Sequence, residues 1–224
     1  MVSLSVLHSA NIITHVTAGS VALILGLVAL LTRKGGMLHR KSGRLFLVFL
    51  SVVIATGLIG VFVFGRNTFL LVITLLSGYL GYSGYRVLQA KSNQFNGRDI
   101  VVAIAVLCSD LYFLYYFKSI GMIWSPVIIY STTGYLLFII TYDFLRYLIP
   151  SHWYGNLWLY EHILKMVSAF SGILSAFTGT VFPQYQPYSQ FLPSVSGTII
   201  AIGFMIYVYR RGAYAGKRGA VAIE

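Results

Sequence analysis

Seven ionisable side chains cluster near the ends of the chain's apolar segments: His39 and Arg40 ahead of the second, Asp143 and Arg146 closing the fifth, and Glu161, His162 and Lys165 opening the sixth. Two neutral imidazoles presented by facing helices are a common axial pair for b-type haem, and an imidazole beside a carboxylate suits a divalent metal. His39 and His162 are therefore the candidate cofactor ligands. Arg40, Arg44 and Lys165 would neutralise haem propionates, and a quinone is the alternative occupant. The same side chains also suit an interfacial salt-bridge network, with Glu161–Lys165 at spacing four and Asp143–Arg146 at spacing three along their helices. Both readings stay open on the sequence.

His15 and Glu161 are the candidate metal ligands, at separate sites. His15 falls about 24 Å from the inner end of its span at 1.5 Å per residue, too far to share an ion with His39 or His162. The bland reading of His15 is an inward histidine bonded to a serine or tyrosine. Asp110 falls about 15 Å into the fourth span by the same rise, with no cation at its depth. A carboxyl there is expected in its neutral form, either relaying protons or donating a hydrogen bond to a tyrosine or serine. Tyr79, Tyr82 and Tyr85 alternate with Gly78, Gly81 and Gly84, a pattern of packing and interface anchoring more than of radical relay.

These residues are set in a chain of 224, of which 58% are hydrophobic and 9% charged. A soluble domain carries about a quarter of its residues as charges, so lipid must be the solvent. A secreted disulfide scaffold, a cytosolic enzyme and a disordered tail are excluded. Cys108 is the only cysteine, expected as a small buried hydrophobe. Apolar segments of about 20 residues cross a bilayer as helices, and seven qualify: 12–31, 45–64, 69–90, 100–117, 121–142, 157–182 and 191–209. The expected fold is all-α, a polytopic integral membrane bundle of seven transmembrane helices forming one domain over 1–209. A basic cytoplasmic tail follows at 210–224. The first span has nothing basic before it and is too long for a cleaved signal peptide.

The chain has 16 Lys+Arg against 5 Asp+Glu. Sorted along an alternating seven-span chain, 14 of the 16 fall on one side and only Arg66 and Lys118 on the other. Basic residues collect on the cytoplasmic side, which gives an N-terminus outside and a C-terminus inside. The charge is then a collar against anionic lipid head groups, not a nucleic-acid footprint. Small residues spaced four apart let helices approach in lipid. Ala18, Ala22 and Gly26 make such a stripe on the first span, and Ser168, Gly172 and Ala176 on the sixth. The uncharged link 183–193, with three prolines, is expected to be a loop.

A phosphate-binding GK[ST] loop, HExxH and GxSxG are all missing from the sequence, and the seventh span has no retinal-type lysine. The run from His15 to Gly26, followed by Gly35-Gly-Met-Leu-His39-Arg40-Lys-Ser-Gly43-Arg44, resembles the opening of a bacterial membrane-protein family catalogued as domain of unknown function 2306. Ser83–Arg86, Glu161–Met166 and Leu192-Pro193 are similar to it as well. The resemblance implies a multi-pass protein of the bacterial inner membrane and puts emphasis on His15, His39, Arg40, Gly43, Arg44 and His162. It implies no substrate. A haem- or quinone-linked redox protein with its histidine site at the cytoplasmic face accounts for most of the polar residues. A non-catalytic membrane subunit, assembly partner or homo-oligomer accounts for the short links and small-residue faces. A proton-coupled transporter on Asp110 and His15 is a third reading, weakened by the odd span number and lack of an inverted repeat. A hydrolase with a metal on His8, His15 and a carboxylate is a fourth.

Overall fold

A long helix lies within or across each of the seven expected segments of the structure, a computed structural model that describes residues 3–65, 70–119, 121 and 126–210. The helices are α1 (Leu4–Leu31), α2 (Met37–Phe62), α3 (Leu70–Ala90), α4 (Gly97–Ser119), α5 (Pro126–Leu145), α6 (Ser151–Tyr154), α7 (Leu157–Val181) and α8 (Tyr188–Arg210). Single 3-10 turns follow α5 and α7. The expected tail lies outside the described residues beyond Arg210, as does Arg66.

Among the described residues, six helices are long and apolar enough to cross a membrane: α1, α2, α4, α5 continued to Leu148, α7 and α8. α3 falls outside that set because its second half is built from glycine, serine and tyrosine. Those residues do not have to face lipid. α3 is the hub of the bundle and packs on α2, α4, α5 and α7, so Ser77, Tyr79, Leu80 and Ser83 are all buried. Cross-helix contacts fix the directions. Gly84 of α3 abuts Lys165 of α7 while Ser77 abuts Gly172, which makes those two helices antiparallel. α7 and α8 are antiparallel too, with Ser175 bonded to Ser194 and Thr178 to Ser189. α2, α4 and α7 thus begin at one end of the bundle, and among the described residues every Lys and Arg except Lys118 belongs to that end. It is called the basic end below.

Small residues make the contacts that the spacing implies. Ala18, Ala22 and Gly26 are the buried residues of α1, and Ser168, Gly172 and Gly179 are buried on α7. A side chain at Gly84 would put its Cβ 3.0 Å from the Lys165 Cβ and 3.2 Å from Met166 Sδ. Large apolar side chains such as Ile13, Ile24, Leu31 and Ile199 are exposed, as an acyl-chain solvent allows.

Three expectations change. Arg40, Lys41 and Arg44 are not in a link: α2 begins at Met37, after the Gly36 N-cap, so these long side chains lie on its first turns and reach outward from there. Lys34 closes α1 from the short link that remains. Its ammonium donates to the carbonyls of Ala29, Leu30 and Thr32 and lies 4.3 Å from the Phe204 ring centroid of α8. Burial there lowers the Lys34 pKa. Cys108 is exposed on α4 and not buried. Lastly, Pro193 is inside α8 and not in the preceding loop.

A proline has no N–H to give the carbonyl four residues earlier, and lipid supplies no water to replace it. Thr178 of α7 does so, its hydroxyl donating to the Ser189 carbonyl at 2.5 Å. Thr178→Val should therefore lower stability by about 0.5–1.5 kcal/mol, seen as a lower unfolding temperature in detergent. Thr180→Val, which removes a hydroxyl bonded only within α7 to the Ala176 carbonyl, should leave that temperature unchanged.

Candidate functional site

The last turn of α5 presents Asp143 and Arg146, and the first turns of α7 present Glu161 and Lys165 on one face. All four are at least nine-tenths buried, Lys165 with only 1% of its surface exposed. The along-helix pair Asp143–Arg146 suggested by spacing does not form the core of the network. Charges pair across helices instead: Arg146 Nη1 donates to Glu161 Oε2 at 2.9 Å, and the Lys165 ammonium bonds the Asp143 carboxylate. Lys165 also lies 3.6 Å from Glu161 Oε2, one helical turn away. Short Asp143 reaches only its immediate neighbour, whereas Arg146 is long enough to reach Glu161.

Tyrosines complete the lattice. Tyr79 of α3 donates to Asp143 Oδ2 at 2.8 Å and Tyr142 of α5 to Glu161 Oε1 at 2.8 Å. Tyr154 of α6 is buried beside Glu161; burial first, then that carboxylate, pushes its phenol above the ordinary value. Two cations and two anions make the lattice neutral, which lets it sit away from water at a cost the pairing offsets. Spacing could have pointed to Tyr79 and Tyr142, since one lies on the ladder of α3 and the other adjoins Asp143. It gave no sign of Asn93, whose amide donates to the carbonyls of Arg146 and Ile149 and closes the end of α5.

A narrow cleft leads to the lattice and is lined by Tyr82, Arg86, Asp99, Asp143, Arg146 and Lys165. Arg86 grips Asp99 with both ends of its fork, at 2.8 and 3.2 Å, and Tyr82 donates to the same carboxylate at 2.7 Å. Asp99 is thus an acid in the first turn of α4 and also the link to α3. A larger cleft, of about 280 Å³, lies toward the opposite end between α5 and α8.

The histidine pair is brought to one level. α2 and α7 run the same way, and their Phe46 and Phe170 rings lie 6.5 Å apart. His39 and His162 precede those rings by seven and eight residues. His39 Nδ1 bonds the Ala29 carbonyl at 2.9 Å and His162 Nδ1 the Gly84 carbonyl at 3.0 Å. A carbonyl only accepts, so Nδ1 carries the proton and Nε2 the lone pair in each neutral ring. Arg40 and Arg44 are exposed at the same end. Lys165, named with them as a propionate partner, is occupied by Asp143 and Glu161.

The other candidates stand apart. His15 Nδ1 is 2.9 Å from Thr56 Oγ1; that hydroxyl already donates to the Val52 carbonyl at 2.7 Å, so the histidine is the donor, to a threonine and not a serine or tyrosine. His8 stacks on Phe64 with centroids 4.6 Å apart. Gly26 of α1 meets Phe170 of α7, which places His15 and Glu161 about 30 Å apart along the bundle at 1.5 Å per residue. Among the described residues no three His, Cys, Asp or Glu gather as ligands for one ion. Asp110 is fully buried and faces Thr133 of α5, though neither makes a hydrogen bond of good geometry.

Lys165→Met should destabilise the protein by about 3–5 kcal/mol, since it strands the buried Asp143 carboxylate without its cation. Thermal unfolding in detergent measures this, and Lys165→Met combined with Asp143→Leu should recover part of the loss. The chain matches no family model, no curated protein and no solved structure.

Proposed function

We propose that the chain is a multi-pass protein of the bacterial inner membrane with seven spans, α3 included, its N-terminus outside and its C-terminus in the cytoplasm. The enclosure of α3 by four neighbours supports the seventh span, because Ser77, Tyr79 and Ser83 meet protein and not lipid. The gathering of cations at the basic end supports the orientation and a contact with anionic head groups. Membership of the family catalogued as domain of unknown function 2306 is part of the reading. In support, His15, His39 and His162 of the matching residues each bond a neighbouring helix.

The activity proposed is redox, with a b-type haem held by His39 and His162. The observation that carries it is the shared geometry of the two rings, level with each other and each turned by a backbone carbonyl so that Nε2 is the coordinating nitrogen. An Nδ1–H held in this way fixes the orientation of a ligating histidine and raises its basicity. Both histidines are partly buried, and Arg40 and Arg44 are exposed at the same end, where they would meet propionates. A haem bound there would supply one-electron transfer; the chain's own part is to ligate it, orient it and balance its charge.

Protein purified after haem-replete expression should show a Soret band that His39→Ala and His162→Ala each remove while the protein remains folded. No band there, and none after reconstitution with haem, overturns the reading. Orientation is tested in a Cys108→Ser background with single cysteines at Lys34 or Lys118. A membrane-impermeant thiol reagent applied to spheroplasts should label position 118 and spare position 34.

A further inference from the structure

The cleft between α5 and α8 is built unlike the rest of the bundle. Its walls come from α3, α5, α7 and α8, and its lining sets seven serines and threonines among apolar side chains, with no charged one. Some of the hydroxyls are already matched: Tyr135 with Ser168 at 2.8 Å, Ser175 with Ser194 at 2.9 Å, and Ser171 with the Val167 carbonyl at 2.9 Å. One acceptor is not. Gln190 is 9% exposed and lines the cleft, and its Oε1 is buried without a hydrogen-bond partner. An orphaned buried carbonyl costs free energy, and no water of the bilayer interior relieves it.

We infer that this cleft binds an uncharged amphiphile whose head carries a free hydroxyl, its O–H donating to Gln190 Oε1 and its apolar tail lying between α5 and α8. Charge is excluded by the lining, since an ionic head group brought among hydroxyls and aliphatic side chains at membrane depth would lack a counter-ion. The tail has its surface in Ile73, Leu76, Ile128, Phe191 and Val195. The mouth is polar where lipid would otherwise touch it, with Ser131, Ser194 and Thr198 exposed. A cavity volume of about 280 Å³ stands at the lower edge of the usual range of small-molecule sites. A quinol and a diacylglycerol both have this chemistry. The inference does not depend on the histidine pair, which lies toward the other end of the bundle.

Three photoreactive probes separate the outcomes: a diacylglycerol and a prenylated benzohydroquinone, each with a diazirine in the tail, and a phosphatidylglycerol carrying the same diazirine. The full chain in mixed bicelles should be cross-linked within α5 and α8 by one or both neutral probes, and unlabelled probe should compete. The probe that labels identifies the source of the hydroxyl. Gln190→Met keeps the side-chain length and should reduce labelling about fivefold, the effect of one lost hydrogen bond. Because Gln190 packs on Gly179, that variant is paired with Ser131→Trp, an exposed position at the mouth, which should block labelling without disturbing the fold. Equal labelling by phosphatidylglycerol, no competition, or labelling that survives both substitutions overturns the proposal. The Soret band of the preparation, where present, should be the same in both variants.

Discussion

Lys165 has to serve two carboxylates at once. Its ammonium holds Asp143 on α5 while standing within reach of Glu161 on its own helix, and Arg146 closes the arrangement from α5. Away from water none of these charges is stable alone, so α5 and α7 have one mutual register in which all four are matched. A shift of α7 by one residue would turn Lys165 away from Asp143 and Glu161 away from Arg146. The approach of α7 to α3 that seats this lysine depends in turn on Gly84, where a Cβ would meet the Cβ of Lys165. The lattice therefore sets the positions of three helices, and the glycine–tyrosine half of α3 is the surface that makes room for it.

Much of this was legible in the sequence because lipid imposes simple rules. The stripe Ala18, Ala22, Gly26 turned inward, and Glu161 and Lys165 entered the packed face of α7, as helical spacing requires. The cations collected at one end. What spacing could not supply was the pairing between helices: Asp143 and Arg146 are neighbours along α5, yet each finds its principal partner on α7. Hydropathy placed the start of α2 too late, because Arg40, Lys41 and Arg44 read as a link while their long stems allow them to stand on a helix. It placed the start of α8 late for a related reason, since Pro193 reads as a loop residue unless a donor such as Thr178 is known to be present. The large cleft was not legible at all. Its residues come from four helices, and each alone is an ordinary serine or threonine of a membrane helix.

Three histidines share a structural habit. His15 joins α1 to α2 through Thr56, His39 joins α2 to α1 through the Ala29 carbonyl, and His162 joins α7 to α3 through the Gly84 carbonyl. In a medium without competing water such bonds hold helices together. Ala29 belongs to the last turn of α1, where carbonyls have no partner in their own helix, so His39 also finishes that helix. The same bonds fix which ring nitrogen has the proton. In the proposed haem site, fastening helices and orienting a ligand would thus be one act of chemistry at His39 and His162, whereas His15, toward the opposite end of the bundle, does only the first.

The two walls of the large cleft are fastened at different heights. α8 is tied to α7 along the cleft itself, at Ser175–Ser194 and Thr178–Ser189, with Gly197 pressed onto Ser171. The hydrogen bonds from α5 to α7 lie at Tyr135 and Tyr142, then at the charged lattice, progressively farther from the mouth. α5 is thus held to α7 at three levels, and the strongest electrostatic contacts in the molecule stand at the end of that helix farthest from its least charged opening.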